Sequence, residues 1–359
     1  MARGRYGTIP RTPNDIDAAV FRDITGRTDV TAVHAEDVDH GTALRGRLRI
    51  VGEPDLPQSA FVKLTPVRPA EMIFNRVMGL AHNEAELFRL LNNELSDVMP
   101  RGYGSASDRR RGRAIVIMED LSDRGAEFVP LATGCTAAQA VAVAETFGNL
   151  HRHFWMSDRL VSGDLAAFSP ESSRTTRIGP RSWHLLHTIP KSYDDIVPQE
   201  MRAHARMLIK NRWAIARLLR TYPHTLIHGD THLGNICFVG AEPLLFDWQL
   251  AACGPAVKDL SYFACTSIHT ETRRGIDEDL VKSYVAALNA DGTTRLTFDD
   301  AWNYYRFFAF TAFVAAGVTA AFGRRLQGEA TTRAGLQRAV DGMSDLDAVA
   351  LLQAQLATA

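Results

Sequence analysis

An excess of either charge is missing from this sequence: Lys and Arg number 40, Asp and Glu 41, giving a formal net charge of -1 over 359 residues. No global field draws the chain to nucleic acid or to an anionic membrane surface, and neither is expected as a partner. Cysteine is also scarce. Cys135, Cys237, Cys253 and Cys265 stand singly with no C-x-x-C pair, which excludes a disulfide framework or zinc knuckle built on spacing. The first residues carry no apolar signal-peptide core, so a reducing, cytoplasmic setting is expected. Repeats and low-complexity tracts are lacking, which excludes solenoids and fibres. Apolar runs are short with one exception, the uncharged segment 307–323. It is marginally short for a bilayer crossing and continues a helical pattern from Trp302 through Tyr305, which predicts a buried helix.

What is present is ordinary globular composition, 46% hydrophobic and 23% charged, in a chain long enough for two domains or one large domain with two lobes. The N-terminal third reads as β-rich. ALRGRLRIVG (43–52) and SAFVKLTP (59–66) are short strands separated by EPDLPQ, an antiparallel pair. Residues 71–95 have apolar positions at helical spacing, with Leu87, Leu90 and Leu91 on one face. RRRGR (109–113) reads as a solvated turn leading into the buried strand RAIVIMEDL (113–121).

From Thr136 the character turns helical. Residues 136–155 form a helix with Thr136 as N-cap, and 199–222 form another ended by Pro223. Between them, 161–198 is rich in Ser, Arg and Pro and reads as a loosely structured, substrate-facing insertion. ICFVG and LLFDWQ, flanking the turn AEP, predict a β-hairpin, and the remainder is helical. The expected fold class is α+β and two-lobed. A small antiparallel-sheet N-terminal lobe (1–118) is followed by a link (119–121) and a large, mainly helical C-terminal lobe (122–359) holding the catalytic loop and substrate pocket.

The sharpest chemical signal is LIHGDTHLGNICF (226–238) followed by LLFDWQ (244–249). Asp230 and Asn235, on a loop running into a strand, can place a carboxylate and an amide oxygen toward one cleft, and a hairpin can return Asp247 to the same end. Two hard oxygen ligands plus a third carboxylate suit Mg²⁺, which leaves coordination positions for phosphate oxygens. A second reading takes His228, Asp230 and His232 at alternating positions as ligands of a hydrolytic Zn²⁺, but leaves Asn235 and Asp247 unexplained. A third is a catalytically silent nucleotide-binding sensor.

HGDTHLGN followed by FDWQ resembles the catalytic and metal-binding motifs of the aminoglycoside phosphotransferase and choline kinase superfamily, with a protein-kinase-like fold. The DWQ form, followed by GP and DLSYF (259–263), looks most like its ecdysteroid-kinase-like branch. The resemblance implies an ATP- and Mg²⁺-dependent phosphotransferase acting on a hydroxylated small molecule, working as monomer or homodimer. Asp230 would take the proton of the acceptor hydroxyl, while Asn235 and Asp247 would hold the metal. Asp259 would brace the catalytic loop through backbone hydrogen bonds, and His228 would orient it. Lys63 would grip the α- and β-phosphates, paired with Glu84 or Glu86, and the backbone at Glu119 to Leu121 would meet adenine. Taken alone, Lys63 reads equally as an edge-strand residue and Asp259 as an N-cap for a helix beginning at Leu260. HGTALRG (40–46) departs from the pattern, with no GxGxxG. Gly41 falls in the phosphate-covering loop, and a plain hairpin fits these residues as well. An aminoglycoside pocket calls for carboxylates, and the tail VALLQAQLATA has none; the many apolar helices of the second lobe and the connector after Val161 point to a more hydrophobic hydroxylated acceptor.

Overall fold

The computed structural model describes residues 9–40, 43–323 and 327–358, so Gly41 lies outside the described residues. The chain divides into two compact units, one up to Glu127 together with Leu244–Ala251, the other Phe128–Pro243 and from Ala252 on.

The first unit opens with α1 (Ala18–Thr25), where the Asp17 side chain accepts the Val20 N–H as an N-cap. Strands β1 (Val30–His40), β2 (Leu44–Gly52) and β3 (Ser59–Leu64) follow. After helices α2 (Pro69–Met78) and α3 (Leu80–Leu91) come β4 (Gly102–Asp108) and β5 (Arg113–Met118). The five strands form one antiparallel sheet in the order β1-β2-β3-β5-β4. In β2, Leu44, Leu48 and Ile50 are buried while Arg45, Arg47 and Arg49 alternate with them, the period-2 pattern of a sheet with one face on the core. The β2–β3 pair is the one expected from sequence. The stretch 71–95 is not one helix. Gly79 adopts φ 77° between α2 and α3, a left-handed conformation that ends the first helix at little cost for glycine. In β4 the composition GYGSASD reads as loop. Its Gly104 is required because an added Cβ would lie 2.5 Å from the Ile24 carbonyl oxygen.

The second unit begins with α4 (Ala137–His153), whose N-terminus carries a full capping box between Thr136 and Gln139. The connector 161–198 is ordered rather than loose. It contains α5 (Arg174–Ser182) and several 3-10 turns, pinned by the buried side chains of Leu165, Phe168, Leu186 and Val197. Polar composition hid these anchors, which are spaced too irregularly to show a period. Helix α6 (Gln199–Leu218) ends in a 3-10 turn before Pro223, one turn earlier than expected. Strand β6 (His224–Ile227) pairs antiparallel with β9 (Ala252–Pro255). Strands β7 (Ile236–Val239) and β8 (Glu242–Leu245) form the expected hairpin, but its turn lies at Gly240 and Ala241 rather than AEP, because Glu242 and Pro243 already belong to β8.

The helices α7 (Val257–Ser267), α8 (Thr270–Leu288), α9 (Phe298–Phe322), α10 (Glu329–Asp345) and α11 (Ala348–Thr358) complete the unit. Helix α9 is long and apolar enough to cross a membrane by length and composition. Its Phe308, Phe310 and Phe313 are fully buried, and it packs on α7 and α10 as a core helix. The acidic run 277–279 lies in the middle of α8 and is not wholly solvated. Asp277 is buried, 2.5 Å from Arg273 and from the Tyr305 hydroxyl, and burial raises its carboxyl above the usual range despite the Arg273 charge.

Candidate active site

In the first unit, Lys63 occupies the middle of the sheet, opposite Arg45 on β2 and Val116 on β5. Alternation sends its side chain to the face opposite Val62. Lys63 is 7% exposed, and its ammonium lies 2.8 Å from Glu84 of α3 and 2.9 Å from Asp247. Glu84, 2% exposed, also accepts the Trp248 N–H at 3.2 Å and the Gln249 amide at 3.4 Å. Glu86 instead pairs with Arg89, resolving the two sequence candidates for the Lys63 partner in favour of Glu84. The Asn83 side-chain amide donates to the carbonyls of Gln249 and Ala251, at 3.1 and 2.8 Å, and fastens the segment that follows Asp247. Asp247 itself adopts φ 64°, a left-handed conformation costly for a non-glycine residue and of the kind concentrated at functional sites.

Electrostatically this cluster is short of positive charge. Burial disfavours the Lys63 ammonium, but Asp247 and Glu84 outweigh it and hold its pKa above the ordinary value. Burial raises the Glu84 carboxyl; Lys63 works against that rise, and Asp247 reinforces it. One cation facing two carboxylates leaves a net charge of -1, so the cluster can accept a further cation.

The link segment sits in the same unit. Asp120 caps a 3-10 turn (Leu121–Arg124) through the Ser122 N–H and pairs with Arg47 at 2.7 Å. The Glu119 carboxylate accepts from the Arg101 N–H at 2.8 Å and from Arg124 at 3.0 Å, while Leu121 is buried. The Glu119 side chain is therefore a structural tie.

The second unit holds the HGDTHLGN loop between β6 and β7. The Asp230 side chain, 30% exposed, accepts the Tyr262 hydroxyl at 2.9 Å on one oxygen and the Asn235 amide at 3.1 Å on the other. Asn235 Nδ2 also donates to the Asp230 carbonyl at 2.9 Å, so its nitrogen is spent on Asp230 and its oxygen faces the other way. That is the atom a hard cation takes.

The loop is held from below by Asp259, fully buried on α7. Its carboxylate accepts the N–H groups of His228 at 2.6 Å and Gly229 at 3.1 Å, and its carbonyl accepts the Thr231 hydroxyl at 2.8 Å. The helix begins at Val257, so Asp259 lies in its first turn rather than at the N-cap. Burial alone would raise its carboxyl, but the His151 ring, Lys258 and His228 together hold it below the usual range. His228 Nδ1 accepts the Asp230 N–H at 3.3 Å, and Gly229 takes φ 83° to make the turn.

Sequence reasoning missed two members of this support. His151 is fully buried on α4, with Nε2 3.5 Å from Asp259 and Nδ1 2.9 Å from the Tyr284 hydroxyl. Tyr262 reaches Asp230 from one turn along α7. Nothing local distinguishes His151 from a surface histidine, because its partner is 108 positions away. Among the described residues no group of three or more His, Cys, Asp or Glu side chains is placed to hold a metal ion. His232 Nε2 lies 3.7 Å from Asp230, and the His228 ring is committed to the loop backbone, so the zinc-hydrolase reading finds no ligand set.

Comparison with known proteins follows the same line. No curated protein matches the sequence. The choline kinase of Cryptosporidium parvum is similar in fold at 12% identity, with 90% of this chain and 93% of that chain covered and a TM-score of 0.58. The choline kinase of Streptococcus pneumoniae is similar at 15% identity, covering 91% and 98%, with a TM-score of 0.52. An amicoumacin kinase in complex with AMP-PNP and Ca²⁺ is similar at 16% identity, covering 87% and 88%, with a TM-score of 0.51. These structural similarities show the α+β, protein-kinase-like fold. The phosphotransferase enzyme family matches residues 60–298, two thirds of the sequence, and the chain belongs to that family.

Proposed function

We propose that this protein is an ATP- and Mg²⁺-dependent small-molecule kinase that moves the γ-phosphoryl group onto an alcohol, with Asp230 as the base. The observation that carries the reading is the Asp230 carboxylate: partly exposed, fixed on both oxygens, and set on a loop whose backbone is tied to a buried Asp259. As the acceptor oxygen bonds to the γ-phosphorus and the bond to the β,γ-bridging oxygen breaks, the hydroxyl proton passes to Asp230 and ADP leaves. A positioned base contributes about 10² to 10⁴ in rate. Lys63, oriented by Glu84, grips the α- and β-phosphates, and the backbone of Glu119 to Leu121 meets adenine. On this reading the lobes are 1–118 and 122–359.

Asn235, through its amide oxygen, and Asp247 would hold Mg²⁺. The donor set fits: both atoms are hard oxygens, and the net charge of -1 on the Lys63, Glu84 and Asp247 cluster favours a cation. When bound, the metal neutralises charge on the β- and γ-phosphates. The similarity to an amicoumacin kinase in complex with AMP-PNP and Ca²⁺ supports nucleotide and divalent-cation use. The reading includes the ecdysteroid-kinase-like branch, which the DWQ and DLSYF motifs support, and a cytoplasmic protein working as monomer or homodimer.

The test is γ-labelled ATP incubated with the protein and a pool of aminoglycosides, macrolides, sterols, choline and sugars, with Mg²⁺ or with EDTA. Label passes to an alcohol with Mg²⁺ and stays on ATP with EDTA. Failure to bind Mg²⁺ and AMP-PNP by calorimetry, together with no transfer, would end the proposal.

A further inference from the structure

Lys258, whose charge helps hold the Asp259 carboxyl low, stands at an unusual position. It is the second residue of α7, where the positive end of the helix dipole disfavours a cation. It is half-buried, and among the described residues no hydrogen bond or ion pair reaches its ammonium. Residues four apart share a helix face, so Lys258 lies on the same face as Tyr262, whose hydroxyl reaches Asp230 at 2.9 Å. Helical side chains lean toward the N-terminus, which carries Lys258 along that face beyond Tyr262. The neighbouring Asp259 carboxylate is already taken by the His228 and Gly229 N–H groups. Burial lowers the ammonium pKa, and the charges of Asp259 and Asp230 only partly restore it. A half-buried cation at an unfavourable helix end, with no direct ion pair among the described residues, leaves its ammonium available to a group bound beside Asp230.

We propose that Lys258 is a specificity-determining residue that faces the phosphate acceptor beside Asp230 and selects hydroxyl compounds that are neutral or anionic near the reacting oxygen, excluding cationic ones. The inference rests on the kinase reading above. A hydroxyl attacking through Asp230 must come within hydrogen-bond reach of that carboxylate, which brings any fixed positive charge on the acceptor close to the lysine. Two like charges about 5 Å apart at an effective dielectric of about 20 repel enough to cost roughly 100-fold in binding. The same charge attracts a carboxylate or phosphate on the acceptor. This agrees with the carboxylate-free tail and separates the protein's acceptor from choline and from polycationic aminoglycosides.

The test compares wild type, Lys258→Met and Lys258→Glu, using γ-labelled ATP with choline, its neutral isostere 3,3-dimethylbutan-1-ol, an aminoglycoside, sugars, sterols and hydroxycarboxylates. AMP-PNP binding is measured in parallel. Wild type is expected to phosphorylate neutral or anionic members. Lys258→Met removes the repulsion and is expected to shift the cationic-to-neutral ratio of kcat/KM roughly 100-fold toward the cation, mostly through KM, with nucleotide affinity and melting temperature near wild type. Lys258→Glu replaces repulsion with attraction and shifts the ratio further in the same direction. A purely structural lysine would move the melting temperature and leave the ratio alone. Preference for cationic acceptors in wild type, an unmoved ratio in both variants, or no transfer to any member while AMP-PNP still binds would each overturn the inference. Loss of AMP-PNP binding in wild type would instead overturn the kinase reading beneath it.

Discussion

Replacing Asp259 with alanine removes the acceptor of two backbone N–H groups, His228 and Gly229, at a site with no exposure to water. Each orphaned buried donor costs about 1–3 kcal/mol, so the loss is about 2–6 kcal/mol, a large part of the ~5–15 kcal/mol that holds a typical domain folded. The Thr231 hydroxyl bonds the Asp259 backbone carbonyl and survives the change. Asp259→Asn keeps one acceptor oxygen and costs about half as much. The sign with pH follows from the direction of the shift. The folded carboxyl is held below the ordinary value, so its contribution is present above about pH 3.9 and is lost as pH falls through the folded value. Because the chain has two units, hydrogen exchange resolves the effect better than a single melting curve. Amides of residues 226–235 lose protection in Asp259→Ala, and transfer slows about 10²-fold as the base is misplaced by about 1 Å. Unchanged protection in that stretch, with transfer at the wild-type rate, would refute the bracing argument.

Lys63→Ala leaves Glu84 and Asp247 facing each other without a cation, and is expected to cost about 3–5 kcal/mol in urea unfolding. Because the Lys63 pKa is raised in the fold, its contribution persists through neutral pH and is lost only as pH climbs through that raised value. Lys63→Met and Glu84→Gln separate stability from nucleotide affinity, read by AMP-PNP titration. The four cysteines are buried; burial pushes the thiols of Cys135 and Cys265 up to about 12 and that of Cys253 to about 11. All four should resist a disulfide reagent at pH 8 until guanidinium is added, and rapid native labelling would contradict their placement.

What the sequence made legible is what lies close together along the chain. Asp230 and Asn235 are five apart on one loop, and their mutual hydrogen bonds follow from that spacing. The β2–β3 pair and the Thr136 cap are equally local. Contacts that depend on distant partners were hidden. His151 acquires its meaning only through Asp259 and Tyr284, and Asp277 became a buried ion-pair member only through Arg273 and Tyr305. Backbone conformation was hidden too. Gly79 breaks a stretch whose apolar spacing is helical throughout, because left-handed geometry at one residue overrides the periodicity around it. Strand β4 carries too little apolar pattern for its pairing to be read without β5 beside it.

The central claim concerns Asp230, and the most direct test is single-turnover transfer by Asp230→Asn from γ-labelled ATP to the acceptor found in the pool. Asparagine preserves shape and the acceptor for Tyr262; it gives up the side-chain bond from Asn235, whose amide keeps the Asp230 carbonyl, so the fold and nucleotide affinity should hold. The account predicts a rate lower by about 10² to 10⁴, with the AMP-PNP dissociation constant moved no more than about threefold. Transfer within about tenfold of wild type would show that the proton leaves by another route.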